Sequence, residues 1–92
     1  MKRCLKVIIK GEFSHNNLIA HIKEIALSLH IEGTIQLEDV YSIKTIVSGS
    51  NENIEQFIEM LHKIAHEQKI DSIEIEPFLQ VKNHRGAFRI IE

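Results

Sequence analysis

The sequence predicts an α+β sandwich in which two helices pack on one face of a mostly antiparallel sheet. Three observations carry this. Residues alternate with period two near 5–10, 34–38, 41–49 and 71–77. Apolar residues recur with period 3.6 from Leu18 and again from Ile54. The order is strand, helix, strand, strand, helix, strand, followed by one further short strand, and placing both helices on one side buries every apolar set at once.

In the first strand Leu5, Val7 and Ile9 share one face, and Lys6, Ile8 and Lys10 share the other. Gly11 ends it. Residues 12–17 are mostly polar and carry Ser14, Asn16 and Asn17, types suited to turns and helix capping. The first helix is expected from Leu18, with Leu18, Ile22, Ile25, Ala26 and Leu29 as its apolar stripe, and is expected to end near His30 or Ile31. Gly33 opens a second strand with Ile35 and Leu37 on one face. Asp39 and Val40 are read as a turn, after which Tyr41, Ile43, Thr45 and Val47 share a face of the third strand. Gly49, Ser50 and Asn51 mark a break, and Glu52 falls in the first turn of the second helix, where a negative charge is favoured. Its stripe is Ile54, Phe57, Ile58, Leu61, Ile64 and Ala65. The fourth strand points Ile73 and Ile75 inward and stops at Pro77; residues 78–86 are read as a loop, and Ala87 to Ile91 as a short final strand. The topology is ferredoxin-like, βαββαβ with an additional C-terminal strand.

Length and composition bound the function. With 92 residues the chain is expected to be one domain, 1–92, large enough for one core and too small for two. Hydrophobic content of 43% beside 26% charged residues fits a globular protein without a membrane span. A single cysteine, Cys4, precludes an internal disulfide and suits a reducing, cytoplasmic setting. A net charge of −2 gives no electrostatic footprint for nucleic acid, and five Phe and Tyr in total leave no paired aromatics for stacking bases.

The stretch 5–22, strand into loop into helix, has the shape of an anion cradle, because backbone N–H groups and the helix dipole converge on one spot. Here the chain resembles the acylphosphatase family. That family carries a loop of the type Gly-Arg-Val-Gln-Gly-Val-Gly-Phe-Arg ahead of its first helix, then Gly-Trp-Val-(basic)-Asn on its second strand. Without gaps, the first motif falls on residues 11–19 and the second on residues 33–37. Gly49, then Ile54, Phe57 and Leu61, and Phe88 with Ile90 also fall where the family places similar residues. The resemblance implies an activity, hydrolysis of acyl phosphates, without a cofactor. It also implies residue roles: the arginine closing the loop binds the phosphate, loop amides cradle it, and the asparagine orients the attacking water.

At those positions this sequence departs from the family. Ile19 stands at the arginine position and Leu37 at the asparagine position, so neither a charge-assisted hydrogen bond nor a polar group to hold water is supplied. Glu12 replaces a basic residue, setting a full negative charge beside a terminus worth about half a positive one. His15 and Asn17 replace loop glycines. Positioning and charge stabilisation are most of what a protein contributes to phosphoryl transfer. The expectation is therefore an acylphosphatase-like domain that has lost hydrolysis and serves as a binding or protein-interaction module, with no catalytic residues. Ser14, His15, Asn16 and Asn17 are candidates for holding a small anion or partner. The alternative is a hydrolase of acyl phosphates or phosphoesters that recruits other residues of the loop, or Arg85.

Other groupings are read more plainly. His62 and His66 have i,i+4 spacing, but they sit toward the solvent side of the second helix with no third ligand at a recognised spacing, so no metal is expected. Ser14, His15 and Glu12 could be drawn as a nucleophilic set, yet all lie in one short loop, whereas triads are assembled from separate segments. Arg85 and Arg89 are read as solvated, and Cys4 as an inert thiol. Ile8 and Ile46, amid Lys6, Lys10 and Lys44 on the open sheet face, are read as the centre of a small partner contact, so the expectation is a monomer or a weak homodimer through that face.

Overall fold

The alternation of the first strand is realised in full. In the computed structural model, which describes residues 2–11, 15–67, 70–78 and 88–91, β1 (Lys2–Gly11) buries Leu5, Val7 and Ile9 on its inner face. It is followed by α1 (His15–Ser28), β2 (Glu32–Asp39), β3 (Ser42–Ser50), α2 (Asn51–Glu67), β4 (Ile70–Pro77) and β5 (Phe88–Ile91). The sheet order is β4-β1-β3-β2-β5, antiparallel except for β2 against β5. This is the ferredoxin-type arrangement with one added edge strand, as the order of elements predicts. No helix among the described residues is long and apolar enough to cross a membrane.

One hydrophobic core joins both helices to the sheet. From α1 it takes Leu18, Ile19, Ile22, Ile25 and Ala26; from α2, Ile54, Phe57, Leu61 and Ile64. Ile43, Thr45 and Val47 of β3 are fully buried, as the alternation predicts. The buried Thr45 hydroxyl donates to the Thr34 carbonyl at 2.7 Å, so its polarity is satisfied within the sheet.

Several boundaries shift from the expectation. Helix α1 begins at His15 rather than Leu18, so the polar run contributes the helix's first turn as well as its approach. It ends at Ser28, two residues early, because the backbone closes a Schellman motif. The Ile31 N–H bonds to the Ala26 carbonyl (2.9 Å) and the His30 N–H to the Leu27 carbonyl (3.2 Å), with His30 at φ 55°. Tyr41 belongs to the turn between β2 and β3 and is exposed, not inward in β3. Its N–H bonds to the Asp39 carboxylate, an Asx-type closure that alternation cannot reveal. Helix α2 follows β3 directly, with the Ser50 hydroxyl accepting the Asn53 N–H at 3.2 Å as an N-cap. Ile75 is on the inner face by register, yet it is 38% exposed, because β4 is an edge strand.

Candidate functional site

The site is built at the end of the sheet where β1 finishes and β3 starts. The Gly11 N–H donates to the Tyr41 carbonyl at 3.0 Å, which ties the entrance of the loop to the β2–β3 hairpin. Register places Ile73, Ile9, Ile43 and Leu37 in one inner-face row across β4, β1, β3 and β2. Residues 12–14, and with them Glu12 and Ser14, lie outside the described residues. His15, Asn16 and Asn17 form the first turn of α1; their side chains, too, lie outside the described part of the structure.

Ile19 is 8% exposed and belongs to the hydrophobic core. It lies outside the expected stripe of α1, although residues 19, 22 and 26 follow the i, i+3, i+7 spacing of one helix face, the signal that marks it. The side chain at this position is thus directed into packing. Its burial is worth about 2 kcal/mol in transfer free energy.

Leu37 shares the inner face with Ile35 but is 38% exposed. The cause is topological: the pairing of β2 with β5 ends at Gln36 opposite Ile91, one residue short of it. The register also slips between Leu37 and Asp39. This end of the sheet therefore presents a bare apolar side chain.

Arg3 and three lysines of the sheet are engaged in ion pairs, and Arg89 is turned away. Arg3, at the far end of β1, donates to Asn51 Oδ1 (3.1 Å) and Glu55 Oε1 (2.7 Å) of α2. On the outer sheet face Lys6 meets Glu76 at 3.0 Å, Lys10 meets Glu74 at 3.2 Å and Lys44 meets Glu38 at 3.6 Å. Arg89 is exposed and pairs in register with Thr34, on the face opposite the row that holds Leu37. Arg85 lies outside the described residues. An open depression beside Gly11 and Tyr41 is lined by Lys10 and by three carboxylates, Glu38, Asp39 and Asp71, a charge balance that repels anions.

Ile8 and Ile46, read as exposed on the outer face, are half-buried among these ion pairs. Cys4 is half-buried on the same face, and burial raises its thiol pKa above the usual 9.0, which disfavours the reactive thiolate. His62 and His66 are exposed on α2, and no group of three or more metal-ligating side chains occurs among the described residues.

The acylphosphatase family model matches residues 5–90. An acylphosphatase of Caldivirga maquilingensis is 26% identical over 83 residues, 89% of this chain and 87% of that protein. Among solved structures, acylphosphatase from Bacillus subtilis superposes with a TM-score of 0.83 at 15% identity, covering 100% of both chains. The T.kodakarensis HypF structure superposes with a TM-score of 0.83 at 22% identity, covering 100% of this chain and 12% of that one. At these identities the structural likenesses speak to the fold alone. The match of the family model across nearly the whole chain decides the matter: this chain belongs to the acylphosphatase family.

Proposed function

We propose that this acylphosphatase-family domain does not hydrolyse acyl phosphates and acts as a binding or protein-interaction module. The observation that carries this reading is Ile19: where the family's pattern asks for a phosphate-binding arginine, the chain has an apolar side chain packed into its core. Leu37 adds an apolar, part-exposed surface where a polar group would have to hold the attacking water. Transition-state charge on a phosphoryl group is stabilised by fixed donors and cations, and neither side chain provides one.

The test is hydrolysis of a simple aryl acyl phosphate by the purified protein. The expected rate equals that of buffer, and turnover resembling a genuine acylphosphatase overturns the proposal. A second reading is favoured by family membership itself and by the name of the Caldivirga relative. In it the chain remains a hydrolase that recruits His15, Asn16, Asn17 or Arg85. The same assay separates the two.

A further inference from the structure

We infer that β4 is a docking edge for an extended basic segment of another protein, which adds to the sheet as a sixth strand. The inference concerns the outward edge of β4, whose first residues pair with Lys10 and Gly11 at the entrance of the loop before α1, and it does not depend on whether that loop hydrolyses anything. Strand β4 bonds to β1 alone, so its other side has no strand partner among the described residues. The phase of its hydrogen bonding follows from one contact. The Phe78 N–H donates to the Cys4 carbonyl at 3.1 Å, so alternate residues Glu76 and Glu74 also turn their backbone groups toward β1. Ile73 and Ile75 then direct both N–H and C=O away from the sheet. Pro77, in the same phase, offers only a carbonyl, which is where proline is tolerated in an edge strand.

The side chains specify what such a strand must carry. Glu74 and Glu76 stand on the outer face with side chains 60% and 58% exposed. Lys10 takes Oε2 of Glu74 and Lys6 takes Oε1 of Glu76, leaving the second oxygen of each without a partner among the described residues. Strand β4 contains no lysine or arginine and also bears Asp71. On the inner face Ile73 is half-buried and Ile75 is 38% exposed. A complementary antiparallel strand therefore alternates basic and apolar residues, basic opposite Glu76 and Glu74 and apolar opposite Ile75 and Ile73. Strand β1 satisfies part of this pattern from the other side, with Lys6 opposite Glu76 and Val7 opposite Ile75. A second copy is the poorer occupant. Two-fold pairing of β4 with itself sets carboxylate against carboxylate when centred on Glu74 or on Ile75, and when centred on Ile73 it leaves Glu74 opposite Ser72 and Glu76 opposite Ile70 with no basic residue.

The probe is a capped, fluorescein-labelled peptide Lys-Val-Lys-Val-Lys, titrated against the full chain by anisotropy, with Glu-Val-Glu-Val-Glu as its control. Saturable binding of the basic peptide alone is expected. Ile75→Pro should weaken it by about tenfold or more, since it removes an outward N–H while leaving the bonds to β1 intact. Glu74→Gln with Glu76→Gln should weaken it similarly and leave the melting temperature within a few degrees. Amide shifts mapped by NMR on the unmodified protein should centre on Ile73 and Ile75, so the inference is tested even if the proline variant unfolds. Absence of binding at millimolar peptide, equal binding of the acidic peptide, shifts centred elsewhere, or self-association through β4 in sedimentation would each overturn it.

Discussion

The Ile46 carbonyl oxygen occupies the place of a side chain at Gly33: a Cβ built there would lie 1.8 Å from it. Gly33 has φ 147°, a conformation that favours glycine, and sits opposite Val47 in the β2–β3 ladder. Contact this close to backbone cannot be relieved by a rotamer change, so Gly33→Ala must push β2 and β3 apart at the centre of the sheet. The expected cost is about 3 kcal/mol or more, read as a fall in the denaturant midpoint. A loss under about 0.5 kcal/mol would show that the strands separate easily. The glycine is one of the positions through which the chain resembles its family, and its reason is steric rather than catalytic.

A second prediction concerns His30. The Schellman closure puts it in the left-handed region, which glycine adopts without the penalty that a Cβ incurs. The buried Ile31 that follows anchors the motif. His30→Gly should therefore stabilise the protein by about 0.5–1 kcal/mol, raising the melting temperature by roughly 2–8 °C. His30→Val should lower it, because a β-branched side chain tolerates this φ worst.

These two positions show why the scaffold was legible in the sequence and the ends of elements were not. Periods of 2 and 3.6 locate strands and helices because burial enforces them over many residues, as in Leu5-Val7-Ile9 or Ile54-Phe57-Leu61. Termination is decided by single hydrogen bonds. Nothing in the composition around His30 announces a left-handed cap, and Tyr41 alternates in phase with Ile43 while the Asp39 carboxylate holds it in a turn. At the candidate site the replacement residues are legible from spacing, but Ile19 lies about 20° beyond Ala26 at the border of the expected stripe, and its burial depends on how wide a face of α1 the core covers. The exposure of Leu37 depends on where β5 stops, a long-range fact that local periodicity does not contain.

Cys4 yields a prediction with a pH sign. Burial raises its pKa, so the folded state favours the neutral thiol. The contribution to stability is fully present below the unfolded-state value and is lost as pH rises through the higher folded-state value. Near pH 8 to 9, alkylation of Cys4 by iodoacetamide should be slower in the native protein than in urea. Equal rates would place the thiol in a more open environment than the sheet face gives it.

The site itself can be tested by rebuilding it. Ile19→Arg alone places a charge in the core stripe of α1 and should destabilise by about 3 kcal/mol, since a buried guanidinium without a partner is costly. Leu37→Asn, at a part-exposed position, should cost about 1 kcal/mol or less. Combined with Glu12→Arg, the three changes supply two cations and an amide to one end of the sheet. Phosphate then becomes the partner that the arginine at position 19 lacks. A ligand at ten times its dissociation constant stabilises by about 1.4 kcal/mol, so phosphate should raise the melting temperature of the triple variant by roughly 5–10 °C. The unmodified protein should not respond, because an apolar side chain and a carboxylate give the anion no differential affinity for the folded state. A phosphate-dependent rise in the unmodified protein would mean that cations from elsewhere in the chain already serve this loop.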